Sequence, residues 1–177
     1  MIVKNENGFT LIELVLTIII VIILATVVSL GLSGLSTARL NNAVNKVVGD
    51  LRYAQQLAIS TQSRHGMTVD PSAAQYTIYR TPATAVPDPS NLGKNLVVIF
   101  NDYQQGQLAG VVFASATPFT TVPPACGAAR SAIEFNSIGA PTDTGGTVLT
   151  CTYTLTLSYA GNPWQITIQQ NTGNLTY

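Results

Sequence analysis

The feature that most constrains this chain is a long apolar segment near its N-terminus. The run from Leu14 to Ala38 carries no charged residue. As an α-helix it would be roughly 37 Å long, enough to cross a hydrocarbon core of about 30 Å. An acid, Glu13, stands directly before it. Because a carboxylate held at membrane depth costs about 2.5 kcal/mol or more on insertion scales, we expect Glu13 to be there for a reason.

A second helical pattern follows Arg39. Apolar residues recur there at spacings of three and four, while Asn, Lys, Asp, Arg and Gln fill the other positions, which is the pattern of an amphipathic helix with one apolar face. This apolar stripe consists of Leu40, Val44, Val47, Leu51, Ala54 and Ala58, and is widened by Val48 and Leu57.

The two patterns predict one uninterrupted helix. No proline occurs between Phe9 and Ser63. Arg64 and His65 would lie in the last turn, where a basic side chain suits the helix C-terminus, and Gly66 could adopt the left-handed conformation of a helix cap. We therefore predict a helix of roughly 55 residues, about 80 Å long.

After Gly66 the pattern changes to short segments rich in β-branched and aromatic residues, which predict strands. The segments are MTV, QYTIYR, LVVIF, AIEFN, TYTLTLSY and WQITIQQ. The last two are joined by AGNP, a hairpin signal, and the proline-rich TPATAVPDPSNLGKN predicts an exposed loop. A mostly antiparallel sheet needs a cover for its apolar face, and the helix stripe can provide it. The fold class is therefore α+β.

The N-terminal residues carry a family resemblance. Gly8-Phe9-Thr10-Leu11-Ile12-Glu13 resembles the signature of type IV pilins and type II secretion pseudopilins. The resemblance implies that a prepilin peptidase cuts between Gly8 and Phe9 and then methylates the new amino group of Phe9. It also implies that Glu13 is the acid used in filament assembly. The expected partners are other pseudopilins or pilins, the prepilin peptidase and an inner-membrane assembly platform.

Two further blocks resemble one branch of the family. LRYAQQLAISTQ and IEFNSIGAPT are similar to the H-type minor pseudopilins and to related minor pilins of type IV pili. Those relatives often carry an arginine and an acid where this chain has Ala54, Gln55 and Gln56. The expected function is that of a minor subunit of a type II secretion pseudopilus. The alternatives are a minor pilin that primes a type IV pilus and a DNA-binding pilin used in uptake.

The resemblance also implies a domain organisation and a location. Residues 1–8 would be a prepilin leader, 9–38 a transmembrane helix, 39–66 its amphipathic continuation and 67–177 a periplasmic β-rich domain. The protein would cross the bacterial inner membrane once, with a cytoplasmic N-terminus, and would be extracted into a periplasmic filament. An uncleaved signal anchor is the alternative interpretation of the apolar run.

The chain has two cysteines, Cys126 and Cys151. A metal site would need three or four ligands, and a redox-active pair is more often spaced C-x-x-C. A structural disulfide is therefore the favoured interpretation, and it would imply an oxidising compartment. The positive-inside rule does not decide the orientation, since basic residues occur on both sides of the apolar run.

Charge argues against a nucleic-acid partner. The eight basic and eight acidic residues cancel. Residues 67–177 hold three basic residues against five acidic ones, whereas a DNA-binding pilin would need a basic surface. We identify no catalytic residue, metal site or cofactor site. The single histidine, His65, is expected at a helix end, and the aromatic residues Tyr76, Tyr79, Tyr153 and Trp164 at strand positions are expected in the core.

Overall fold

The computed structural model describes residues 10–102, 106–122 and 127–177, without the side chains of residues 27–36 and 122. Its described part contains one helix, α1 (Leu11–Thr61), and the chain divides into two compact units, residues 1–37 and 38–177. The predicted long helix is therefore confirmed, although its predicted end is wrong.

Helix α1 ends at Thr61 and not beside Gly66. Gln62 takes the left-handed conformation, with φ of 52°, directly after the helix. His65 is buried in a strand, where its Nδ1 lies 2.9 Å from the carbonyl oxygen of Ser63, so the predicted helix-end position of His65 is wrong. Gly66 is needed for another reason: a Cβ there would overlap the Ile133 carbonyl oxygen of a neighbouring strand.

In the described part of the chain, eleven strands follow the helix, and their pairings there are all antiparallel. In chain order they are β1 (His65–Asp70), β2 (Gln75–Arg80), β3 (Thr84–Ala85), β4 (Val97–Ile99), β5 (Val112–Phe113), β6 (Phe119–Val122), β7 (Ala132–Phe135), β8 (Pro141–Thr142), β9 (Thr152–Tyr159), β10 (Asn162–Ile168) and β11 (Leu175–Thr176). One sheet has the order β3-β2-β1-β7-β8, with β4 also paired to β2. The other has the order β11-β10-β9-β5, with β6 also paired to β9.

Each of the six predicted strand segments contains or overlaps an observed strand. The hairpin between TYTLTLSY and WQITIQQ is confirmed as the β9–β10 pair. Its turn residues Ala160 and Gly161 have φ of 49° and 82°, the positive values that a tight hairpin with right-handed strand twist requires. The predicted exposed loop is only partly confirmed. Leu92 is 96% exposed, but β3 forms within the loop. Val86, which follows β3, is buried, and its N–H donates a hydrogen bond to Ile78 O of β2.

The second half of α1 and the two sheets share one hydrophobic core. The residues of the predicted stripe are buried there, except for Leu57, which is partly buried against the core, together with apolar residues of β1, β2, β4, β7, β9 and β10. The aromatic expectations are confirmed for Tyr76, Tyr79 and Tyr153, which are buried, whereas Trp164 is 37% exposed and does not belong to the core.

One predicted surface residue belongs to the interior. Asp50, assigned from the sequence to the polar face of the helix, is only 8% exposed. Its carboxylate pairs with Lys46 Nζ at 2.8 Å and accepts a 2.7 Å hydrogen bond from the hydroxyl group of Tyr76. Burial of Asp50 is tolerated because Lys46 and Tyr76, the two partners of its carboxylate, belong to the same chain.

Candidate functional site

The candidate site is the start of α1, where Glu13 lies. Thr10 directly precedes the helix and caps it: the Glu13 N–H lies 3.3 Å from Thr10 Oγ1 and 3.1 Å from its carbonyl oxygen, and the Leu14 N–H donates to the same carbonyl. These contacts satisfy donors that a helix start leaves unpaired. The sequence analysis did not assign this role to Thr10, although T-L-I-E has the spacing of a capping box.

Glu13 is the third residue of the helix and the acid of its first turn. In that position a carboxylate interacts favourably with the positive end of the helix dipole. No ion pair to Glu13 forms within the part of the chain that the structure describes. Gly8 and Phe9, the predicted cleavage and methylation residues, lie outside the described residues. Of the predicted site residues, the structure therefore describes only Glu13 here, and it brings Glu13 together with Thr10.

The helix around Glu13 exposes apolar side chains in every direction. From Leu11 to Leu24, twelve large apolar side chains are between 42% and 82% exposed. Such a helix needs apolar surroundings, either other helices or lipid. Among the described residues, no helix combines the length and the apolar character that crossing a membrane requires.

Polar groups in this segment are satisfied by the helix itself. Thr17 Oγ1 donates to Leu14 O at 2.8 Å, and Thr26 Oγ1 donates to Ile23 O at 2.7 Å. Hydroxyl groups bonded in this way can be accommodated in apolar surroundings. Glu13 differs because its carboxylate can only accept hydrogen bonds, and it is the single charged residue between Leu11 and Ala38.

Two of the three positions at which this chain departs from its expected relatives contribute to the fold. Ala54 is completely buried in the core, and Gln56 is exposed. Gln55 Nε2 donates to Gly139 O at 2.8 Å and to Thr172 O at 3.2 Å. One helix side chain thus holds two turns of the β-rich unit.

The predicted disulfide falls partly outside the described residues, because Cys126 is not among them. Cys151 is buried. A Cβ placed on Gly127, the residue after Cys126, would lie 3.6 Å from Cys151 Sγ. The neighbouring residue therefore approaches Cys151 closely, and the Cys126–Cys151 pairing stays a prediction.

Comparison with known proteins gives matches to the N-terminal motif and to the fold. Residues 3–29 match the family described as the prokaryotic N-terminal methylation motif. The minor pseudopilin EpsH from the type 2 secretion system of Vibrio cholerae is similar in structure, with 15% identity and a TM-score of 0.50 over 77% of this chain and 93% of that chain. The type IV minor pilin FimU of Pseudomonas aeruginosa gives 14% identity and a TM-score of 0.47 over 77% and 85%. No curated protein matches the chain in sequence.

Proposed function

We propose that the chain is a minor subunit of a type II secretion pseudopilus. The premise is that it is a type IV pilin-like protein with an N-terminal methylation motif and a pilin-like fold. Pilin-like proteins assemble with other pilins or pseudopilins and are processed by a prepilin peptidase. The fold suits a structural subunit rather than an enzyme. In this proposal the peptidase removes residues 1–8 by cutting between Gly8 and Phe9, and methylates the amino group of Phe9.

The observation that carries the proposal is the single acid in an otherwise apolar, exposed helix surface. Twelve large apolar side chains between Leu11 and Leu24 are exposed, and Glu13 is the only charge among them. We infer that residues 9–38 lie in the bacterial inner membrane before assembly and bundle with the same segments of other subunits afterwards. Residues 39–66 continue the helix outside the membrane, and residues 67–177 are periplasmic.

Cleavage would give Glu13 the partner that it lacks. The apolar helix contains no basic residue before Arg39. The amino group of Phe9, released by the cut, would supply a positive charge one residue before the cap at Thr10. Pairing between Glu13 of one subunit and the Phe9 amino group of its neighbour would fix the axial offset between subunits, since a polar pair within an apolar seam specifies register.

The choice of secretion pseudopilus rests on the likeness in fold to EpsH, while the blocks LRYAQQLAISTQ and IEFNSIGAPT support a minor subunit of either kind. A minor pilin that primes a type IV pilus is the second candidate. The same two blocks favour it, since they resemble minor pilins as well. Deletion of the gene separates the two, because a secretion subunit is needed for export of secreted proteins, and a pilus subunit for surface pili.

We also propose that Cys126 and Cys151 form a structural disulfide, which would place residues 67–177 in an oxidising compartment. The buried position of Cys151 and its closeness to Gly127 support the pairing. Peptide mapping without reduction should recover the two cysteines in one linked peptide pair. Two free thiols in protein taken from the periplasm would refute this pairing.

The experiment that tests the proposed processing is mass analysis of the mature protein. The chain should begin at Phe9 and carry one additional methyl group. Gly8→Leu should leave the full-length precursor uncut but still in the membrane, and Asn7→Gln should be processed normally. A mature chain that still begins at Met1, or that begins beyond the apolar segment, would contradict the proposal.

A further inference from the structure

A pocket on the outer face of the six-stranded sheet is lined by two buried polar atoms, one of Glu134 and one of Thr81, that lack a hydrogen-bond partner among the described residues. The cavity measures about 650 Å³. Its floor is made of small side chains from three strands, including Thr68, Thr77 and Ala132, while Arg64 and Thr144 lie along one rim. We call it the Glu134 pocket, after the carboxylate in its wall.

One oxygen of the buried Glu134 carboxylate lacks a hydrogen bond among the described residues, although it forms a 3.4 Å ion pair with Arg64. Its side chain is 2% exposed. Oε1 accepts a 2.8 Å hydrogen bond from the hydroxyl group of Tyr79, whereas Oε2 accepts none from the residues that the structure describes. Burial, and next the hydrogen bond to Glu134, raise the pKa of Tyr79 well above its usual range, so the phenol remains a donor at neutral pH. Leaving an ionised oxygen buried without a hydrogen bond is unfavourable, and native proteins rarely do so.

The position of Glu134 follows from the strand register. Gly66 of β1 lies between Tyr79 of β2 and Glu134 of β7, directly opposite each. Because glycine has no side chain, the tyrosine can reach across β1 to the carboxylate. A Cβ on Gly66 would come within 2.9 Å of Glu134 Cγ. The carboxylate is therefore held by the sheet and not by a flexible loop.

A second unsatisfied group lines the same pocket. The hydroxyl oxygen of Thr81 is buried without a hydrogen-bond partner among the described residues. The same is true of Thr142, which lies opposite Glu134 in the β7–β8 pair. In the described part of the chain, three buried side-chain atoms therefore lack a hydrogen bond. They belong to Glu134, to Thr142 opposite it and to Thr81 in the wall of the pocket.

The charge of the pocket restricts what could satisfy these atoms. Arg64 Nη1 lies 3.4 Å from Glu134 Oε2, so the two charges balance. The Arg64 side chain is 30% exposed, and its Nη1 donates a long hydrogen bond of 3.4 Å to Thr144 O. A cationic ligand would be repelled by Arg64 and an anionic ligand by Glu134, whereas a neutral group that both donates and accepts hydrogen bonds meets neither penalty.

We propose that the Glu134 pocket binds an amide group of a protein ligand, whose N–H donates to Glu134 Oε2 and whose carbonyl oxygen accepts from the Thr81 hydroxyl. The ring of Tyr79 and the apolar side chains of Pro82, Ala83 and Ala85 contact the aliphatic part of the ligand. The amide comes from an asparagine or glutamine side chain or from a main-chain peptide unit. This inference does not rest on the proposed function.

Binding can be measured with full-length protein in detergent micelles and four blocked amino acids. The ligands are the N-acetyl methylamides of glutamine, norleucine, lysine and glutamate, titrated in saturation-transfer NMR. Preferential binding of the glutamine derivative identifies a side-chain carboxamide as the ligand group. Equal binding of all four identifies the main-chain amide, which they share. Binding of the lysine or glutamate derivative alone, or of none of the four, would overturn the proposal.

Three variants test whether the unsatisfied atoms are responsible. Glu134→Gln replaces the free acceptor by a donor and should weaken binding about tenfold or more. Thr81→Val removes the second group and should weaken binding severalfold while leaving the melting temperature unchanged or higher, because no hydrogen bond of the free protein is lost. Asp88→Asn, an acid outside the pocket, is the matched control and should bind as the native protein does.

The thermal measurement separates a binding site from a packing defect. If Glu134→Gln fails to fold, Thr81→Val carries the test alone. A Thr81→Val protein that is more stable and binds the amide as tightly as the native protein would show that the unsatisfied hydroxyl is a packing defect, and the proposed contact would be wrong.

Discussion

The two halves of α1 differ in where their apolar side chains find contacts. Between Leu11 and Leu24 every large apolar side chain is at least 42% exposed. Between Leu40 and Ala58 every stripe residue except the partly buried Leu57 is at most 4% exposed, within a core shared with the sheets. The second half is therefore stabilised by its own chain, whereas the first half exposes a surface that only lipid or other subunits could cover.

The charged groups of the two halves differ in the same way. Asp50 in the second half is buried with Lys46 and Tyr76 as partners. Glu13 in the first half has no ion-pair partner within the described residues. The buried carboxylate of Asp50 has partners in its own chain and supports the fold. The carboxylate of Glu13 lies among exposed apolar side chains and is available to a partner from another molecule. This difference is the physical basis for assigning Glu13 to assembly.

The largest expected effect comes from truncating matched apolar residues in the two halves. Leu51→Ala creates a cavity in the core and should lower the free energy of unfolding of residues 38–177 by about 2–5 kcal/mol. Ile20→Ala, at a side chain that is 47% exposed, should change it by less than about 0.5 kcal/mol. Urea denaturation of full-length protein in detergent, followed by the fluorescence of Trp164, measures both. Equal losses would contradict the division between the halves.

A smaller loss is expected from the buried partner of Asp50. Tyr76→Phe removes the 2.7 Å hydrogen bond to the carboxylate and should lower the free energy of unfolding by about 1.5–3 kcal/mol, the usual range for a hydrogen bond to a charged group. Tyr177→Phe, at an exposed tyrosine, is the control and should have no measurable effect. A native-like Tyr76→Phe protein would mean that Lys46 alone satisfies Asp50.

The same tyrosine predicts a dependence on pH. Burial, and next the Asp50 carboxylate, raise the pKa of Tyr76 well above its usual value of 10.0. Above pH 10 the unfolded chain therefore loses a proton that the folded chain keeps. Stability should not depend on this group below about pH 10 and should fall above it, by at most about 1.4 kcal/mol per pH unit. Tyr76→Phe should reduce that alkaline slope; an unchanged slope would contradict the assignment.

The smallest effect is expected at the helix cap. Thr10→Ala removes the side-chain acceptor for the Glu13 N–H and should destabilise the first helical turn by about 1 kcal/mol. Amide hydrogen exchange of residues 11–14 should then become about fivefold faster. Thr17→Ala is the control, because that hydroxyl only donates back to Leu14 O. Identical exchange in native and Thr10→Ala proteins would rule out the cap.

The regular elements could be predicted from sequence because their patterns are local. Spacings of three and four identified the buried stripe, and short segments rich in β-branched and aromatic residues identified β2 and β9 with their observed bounds. Strands of two residues, such as β3, β5, β8 and β11, are too short to carry a period. They exist because longer neighbours present edges with which they pair.

The errors of the sequence analysis share a non-local cause. Gly66 was interpreted as a helix cap, but the need for glycine arises from β7, which is distant along the chain. Asp50 was assigned to the surface because Tyr76, its hydrogen-bond partner, lies 26 residues away. The Glu134 pocket depends on the register that aligns Tyr79, Gly66 and Glu134, which no single segment reveals. Thr10, by contrast, could have been recognised from the spacing T-L-I-E.

The measurement that tests the central claim most directly is cross-linking of Glu13→Val protein to neighbouring subunits through the apolar segment. Membrane insertion should be unchanged or improved, because a charge is removed, and cleavage between Gly8 and Phe9 should persist. Association should fail, since the amino group of the neighbouring Phe9 would be left buried without a partner, at a cost of about 3–5 kcal/mol. Glu13→Gln, which retains the shape but loses the charge, should show the same defect. Cross-links and secretion at native levels in the Glu13→Val protein would contradict the assembly role of Glu13.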